Sequence, residues 1–181
     1  MKFEKLEQNI IDMIKEEQAK LGYRKESIRL YYPLSSLVHL TGEACKEEEM
    51  LKALSVFGTT VKDRLGLVQV SAKRERFCFL IPEEGSAYVR EHTKPNEFIR
   101  ELVELVGQHG CTMEEIRKLF ETQQSPVIIK PMKDEEFDVL IRFADGSVDP
   151  YYYCFKDEGC HIIYHRFLPE DYADFAFEEE A

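Results

Sequence analysis

The sequence predicts an α+β fold, helices with antiparallel β-hairpins, and three observations carry that prediction. Apolar residues recur at helical spacing through several long segments. Other segments alternate apolar and polar residues in steps of two. Those alternating segments are joined by short polar turns, which is how antiparallel strands connect.

The first element spans residues 2–21, where Phe3, Leu6, Ile10, Met13, Ile14 and Leu21 form one apolar stripe and Gly22 supplies a stop. Ile28, Leu30 and Tyr32 alternate with Arg29 and Tyr31 as a short strand. Pro33 suits a helix start because its missing N–H costs nothing in the first turn. Leu34, Leu37, Val38 and Leu40 continue that helix to Gly42. A third helix runs from about Lys46 to Phe57, and Val61 to Leu65 add a turn. A hairpin follows, with arms at 67–71 and 76–81, a tip at 72–75, and Pro82 closing it. Helix, strand, helix, helix, hairpin is the order of a winged helix, so residues 1–92 read as a winged-helix-like module.

The second module, residues 93–181, is expected to follow a boundary near Pro95. A short helix near 84–92 leads up to it. The module itself opens with a helix over 96–108, apolar at Phe98, Ile99, Leu102, Val103, Leu105 and Val106. Gly107 and Gly110 break it. Thr112 with Glu115 three residues on is a capping box that starts the next helix, whose buried face is Ile116, Leu119 and Phe120. A short strand falls at 127–129. Arms at 137–143, 148–155 and 160–167, turned at Asp145-Gly146 and at 156–159, make a three-stranded antiparallel meander. Pro150 pushes its end of the middle arm toward an edge or a bulge.

Charge separates the two halves. The net charge is −11. Residues 1–92 hold fifteen basic and fifteen acidic side chains, while residues 93–181 hold nine and twenty. Phosphates would be repelled by the acidic half, so nucleic acid is disfavoured there and DNA stays open only for the first module. No apolar run reaches the roughly 18–20 residues of a membrane span. Met1 to Gln8 carry four charges and no secretion-signal core, so a cytoplasmic location is expected, with no membrane partner. Five cysteines without a Cys-x-x-Cys pair read as reduced thiols.

Four runs resemble those of an uncharacterised bacterial domain-of-unknown-function family: Leu21 to Lys25, Ile28 to Leu34, Glu75 to Phe79 and Phe155 to Phe167. The resemblance extends over nearly the whole chain. It implies no activity, cofactor or catalytic residue.

Four constellations remain. Cys154, Cys160, His161 and His165 have the donor chemistry of a tetrahedral zinc site. Cys160 and His161 are adjacent, so a regular strand would point them to opposite faces and a shared site would need a bulge. The same residues also fit an ordinary polar and aromatic sheet face. Cys111 lies just before a capped helix, where a thiolate is stabilised, with His109 nearby in sequence. Lys62, Arg64, Lys73, Arg74 and Arg76 gather around the hairpin and form a candidate nucleic-acid surface. The helix expected to enter a groove, however, begins Lys46-Glu47-Glu48-Glu49, and those acids face phosphates badly. The aromatic crowding at Tyr151 to Phe167, with Tyr152, His161 and His165 on candidate exposed positions, suits a protein partner. No phosphate loop, Gly-x-Ser-x-Gly elbow or His-Glu-x-x-His motif is present, and no cofactor is implied. The sequence therefore reads as a non-enzymatic binding protein, with a DNA-binding regulator or a small metal- or thiol-dependent enzyme as the alternatives.

Overall fold

The computed structural model describes residues 2–132 and 136–172. Its contacts divide the chain into two units, Met1–Arg100 and Glu101–Ala181. Helices and two antiparallel sheets make the fold α+β. Among the described residues no helix is long and apolar enough to cross a membrane.

The first unit runs α1 (Glu4–Leu21), β1 (Ile28–Pro33), α2 (Leu34–Thr41), α3 (Glu47–Thr60), α4 (Lys62–Leu65), β2 (Gln69–Lys73), β3 (Arg76–Ile81) and α5 (Glu83–His92). Its sheet has the order β1-β3-β2, so the final strand lies between the other two. The register pairs Leu30 with Phe79 and Tyr32 with Phe77, and pairs Val70 with Phe79 from the other side. Alternation then puts Leu30, Tyr32, Phe77, Phe79 and Ile81 on one buried face. The stripe Leu6, Ile10 and Ile14 of α1 and Met50, Leu54 and Phe57 of α3 are buried with them. Phe79 meets Tyr32 and Phe57 edge-on, at ring separations of 5.2 and 6.4 Å. A polar pair taken into this core is satisfied, because Tyr32 Oη donates to Asn9 Oδ1 at 2.7 Å. Gly85 lets α5 close on α4, since a Cβ there would come within 2.5 Å of the Leu65 carbonyl oxygen.

The hairpin is tighter at its tip than the sequence reading has it. Lys73 already pairs with Arg76, leaving Arg74 and Glu75 as a two-residue turn with φ of 53° and 59°. Two successive positive φ values fit the right-handed twist of the flanking strands, although glycine or asparagine usually takes those positions.

Helix α6 (Glu97–Val106) spans the division between the units and buries Ile99 and Leu102. The second unit continues with α7 (Met113–Glu121), β4 (Val127–Pro131), β5 (Val139–Phe143), β6 (Tyr152–Asp157), β7 (Ile162–Phe167) and the single turn α8 (Pro169–Tyr172). The expected capping box is present: Thr112 Oγ1 accepts from Glu115 N–H, and Glu115 Oε2 accepts from Thr112 N–H. The meander gains a strand over the predicted three. The short segment at 127–129 extends to Pro131 and joins as an edge, giving the order β4-β5-β6-β7. The middle arm starts later than predicted. Pro150 offers no N–H to a ladder, and Asp149 captures the Tyr151 N–H at 2.9 Å and the Tyr153 hydroxyl at 2.7 Å. Those bonds hold 149–151 out of the strand.

Phe120 of α7 is fully buried on one face of this sheet, with Phe143, Tyr153 and Phe155 at ring separations of 5.3, 5.2 and 6.0 Å. A side chain touching three rings cannot be replaced by collapse of its neighbours. Phe120→Ala is therefore expected to cost about 3–5 kcal/mol in urea unfolding of the full chain, and a loss under about 1 kcal/mol would show that α7 does not anchor the sheet.

Candidate functional site

Three places carry the sequence-selected residues, and each is built by a different local device.

The first is the hairpin tip of the first unit. Lys62, Lys73, Arg74 and Arg76 are exposed there. Arg64 is already committed, since its Nε and Nη2 donate to the two Glu7 carboxylate oxygens at 2.6 and 2.9 Å. That fork-to-carboxylate bond holds the guanidinium charged still more firmly than usual. Glu47, the first residue of α3, lies against the tip itself. Glu47 Oε2 accepts from the Glu75 N–H, and Glu49 Oε2 accepts from the Lys46 N–H at 3.1 Å. The basic wing and the acidic helix start are thus one mixed-charge surface.

The second place is the turn between β6 and β7. The four residues with zinc-ligand chemistry do not converge. Cys154 and His165 are cross-strand partners. Cys154 is buried, with its Sγ 3.5 Å from Met132 Sδ, while the His165 ring meets Phe137 edge-on at 5.3 Å. Cys160 and His161 fall before β7 begins, in a turn that Gly159 makes at φ 86°. They therefore lie outside the strand alternation altogether. Among the described residues no three His, Cys, Asp or Glu side chains are grouped to hold a metal ion. The turn has a chain of its own instead. Cys160 Sγ lies 3.2 Å from His161 Nδ1, and His161 Nε2 lies 2.9 Å from Glu158 Oε2. Sequence reasoning missed Glu158. Its signal is the spacing of three to His161 across a glycine turn.

Cys111 does not have the activated character that its place before α7 suggests. Partial burial pushes its thiol up, and the Glu115 and Asp157 carboxylates push it further. Its Sγ contacts the Thr112 carbonyl at 3.8 Å, and His109 is exposed. The thiol of Cys45 is likewise raised, by burial first and then by Glu49 and Glu43.

The third place is the second face of the β4–β7 sheet. Register lays Ile128, Arg142, Tyr152 and Phe167 in one row across four strands, and Lys130, Leu140, Cys154 and His165 in the next. Phe137, Leu140, Cys154 and Phe167 form a small buried cluster on this face, with Met132 and Tyr152 packed against it. Ile128 remains 39% exposed and Ile163 38% exposed. The Arg142 guanidinium lies over the Tyr152 ring at 5.5 Å. Tyr152 and His165 therefore share this face as the alternation predicts, whereas His161 belongs to the turn.

One groove sits in the first unit, at the end of α1. It encloses about 170 Å³, and Gln18 donates across it to Ser86 at 2.8 Å. That volume is below the roughly 300 Å³ at which small-molecule sites begin.

Residues 3–176 match DUF3877, a domain of unknown function whose description refers to an E. rectale gene, and the chain belongs to that family. No curated protein and no solved structure matches the chain.

Asp138 ties the start of β5 to the end of β6. Its carboxylate accepts from the Asp157 N–H at 2.8 Å and from Lys156 Nζ at 3.1 Å, which together hold its pKa below the ordinary aspartate value. A carboxylate lowered in the folded state contributes stability that is full above the unfolded value of about 3.9 and is lost as pH falls through the folded one. Asp138→Asn is expected to destabilise the neutral protein by about 1 kcal/mol or less, because the group is part-exposed and screened. Thermal melts of wild type and variant should converge as the solution is acidified below that range. A gap that stays constant into acid would show that the carboxylate charge is not linked to folding.

Proposed function

We propose that this chain is a non-enzymatic binding module that engages a protein partner through the second face of the β4–β7 sheet, in the cytoplasm. The observation that carries the reading is the row Ile128–Arg142–Tyr152, which places an exposed aliphatic side chain, a guanidinium and a tyrosine side by side across three strands. Tyr and Arg are the residues enriched where protein surfaces meet, since each offers large contact area with a polar end. Lys130 and His165 flank the row, so the complementary segment is apolar with acidic groups around it. A cytoplasmic setting fits five free thiols.

The first unit serves this reading as a winged-helix-like scaffold, which its strand order and its two-residue wing support. Its basic residues Lys62, Lys73, Arg74 and Arg76 would favour a duplex, but a duplex laid on the wing would bring phosphates onto Glu47, Glu48 and Glu49. Those three carboxylates would offset much of the attraction of the four exposed cations.

Capture from a bacterial lysate should recover a protein with the wild-type chain that an Ile128→Ser/Tyr152→Ser double variant of matched circular dichroism loses. Equal recovery would overturn the sheet-face assignment. In the companion mobility-shift experiment at low salt, random-sequence duplex should run unretarded with the wild type. Retardation that disappears in Lys73→Glu/Arg74→Glu would replace the protein reading with DNA binding.

A further inference from the structure

The turn at Asp157–His161 holds a thiol, an imidazole and a carboxylate in line, and nothing in the sheet-face reading uses them. We propose that Cys160 is a peroxide-reactive thiol, activated by His161 and Glu158 and resolved by Cys111.

The geometry gives each group one role. Glu158 Oε2 at 2.9 Å from His161 Nε2 fixes the tautomer with the proton on Nε2. The Nδ1 lone pair is then turned to Cys160 Sγ at 3.2 Å. That is the order of nucleophile, base and orienting acid required of an activated thiol. The turn is rigid at its backbone, because Glu158 N–H donates to the His161 carbonyl at 3.0 Å and Gly159 N–H donates to Asp157 Oδ1 at 2.8 Å. Cys160 is exposed, so a small hydroperoxide reaches it without any opening of the fold.

Cys111 is brought to the same place by the chain. Gly110 N–H donates to the Cys160 carbonyl at 3.5 Å, which sets the loop before α7 directly against the turn. Burial, then the Glu115 and Asp157 carboxylates, raise the Cys111 thiol. The charged groups around the pair are Asp157 and Glu158 on the turn and Glu115 on α7. All are acidic, and His161 is the base in contact with the Cys160 sulfur. Cys111 has no such base. The pair is therefore asymmetric, one sulfur attacking and the other resolving.

The chemistry balances with a hydroperoxide as oxidant. The Sγ proton of Cys160 passes to His161 Nδ1. The thiolate attacks the terminal peroxide oxygen, the S–O bond forms and the O–O bond breaks, and sulfur is oxidised by two electrons as the peroxide is reduced. The leaving oxygen takes the proton from the imidazolium and departs as water or an alcohol. Cys111 then attacks the sulfenyl sulfur, the S–S bond forms, and the hydroxyl leaves as water with the Cys111 proton.

The test treats the reduced full chain with one equivalent of hydrogen peroxide, quenches by alkylation and maps peptides by mass. A peptide pair joined through Cys111 and Cys160, lighter by two hydrogens, is expected from the wild type. Cys111→Ser should stop at a Cys160 sulfenic acid that dimedone traps, and Cys160→Ser should show neither product. His161→Gln should oxidise at least about tenfold more slowly, as loss of a general base requires, and its alkylation profile should move to higher pH. Glu158→Gln gives the second reading if His161→Gln does not fold, with the same direction of change. His165→Gln is the control and should match the wild type. Oxidation of Cys160 no faster than that of Cys45, an unchanged rate in both turn variants, or a disulfide to any other cysteine would overturn the proposal.

Discussion

The first unit is organised around the backbone of Glu75. This residue holds a positive φ of 59° directly after Arg74 at 53°, a conformation that costs a side-chain-bearing residue on the order of 1–3 kcal/mol. Both of its peptide groups are taken from outside the hairpin. Its carbonyl accepts from the Leu34 N–H at the start of α2, at 2.8 Å, and its N–H donates to Glu47 at the start of α3. A neutral bond contributes about 1 kcal/mol and one to a carboxylate about twice that, so the two together offset the turn. The hairpin tip is therefore held in place by the starts of α2 and α3. Glu47 is consumed in doing so, and its charge is fixed at the point where a wing would meet a phosphate. The bond that holds the tip also places a carboxylate among its basic residues.

In the second unit an equivalent part is played by Asp149. Its two carboxylate oxygens hold the Tyr151 N–H and the Tyr153 hydroxyl, delaying β6 until Tyr152. The Arg166 guanidinium lies 3.7 Å from the Tyr151 ring centroid, so the irregular entry to the strand is also packed on a cation. This start sets which residues alternate to each side. Tyr153 and Phe155 go under Phe120, and Tyr152 goes to the opposite face beside Arg142. Had the strand begun one register earlier or later, the candidate interface and the core would have exchanged residues.

Periodicity made the elements legible because burial enforces it. Leu6, Ile10 and Ile14 read as a helix face and are all fully buried, and the Thr112–Glu115 box reads as a cap and forms one. Edges were harder. β4 contributes few buried side chains, so its pattern was short, and it is the neighbouring β5 that extends it to Pro131. The candidate sites were legible only where they lie on a strand. Tyr152 and His165 share a face because the two-residue repeat puts them there. Cys160 and His161 were grouped with Cys154 by donor chemistry, although on a strand starting at Cys160 only a bulge could have brought all of them to one face. Two residues of turn move them away, and a glycine dihedral leaves no mark in a hydrophobic pattern. Glu158 was invisible for the same reason, and Glu47 was legible as a charge at a helix start but not as the acceptor of the Glu75 N–H. In a chain with 35 acidic residues, a carboxylate is distinguished only by what it touches.

The position of the thiol chain on a hairpin turn has an energetic logic of its own. Cys154 is buried in its sheet, and oxidising it would force a polar sulfur into an apolar cluster. Cys160 and Cys111 lie on exposed or part-exposed loops, where sulfur can change partners without disturbing a packed side chain. A bond between them would close a loop of about 50 residues, for which chain entropy alone stabilises the folded state by about 4 kcal/mol. That is a large fraction of the stability of a domain this size. It would act on the unit that holds the β4–β7 face without touching the exposed Ile128 or the part-buried Tyr152 on it. The proposed chemistry on the turn and the proposed recognition on the sheet are separable in space but would share one folding equilibrium, so a change at sulfur would reach the surface through stability rather than through contact.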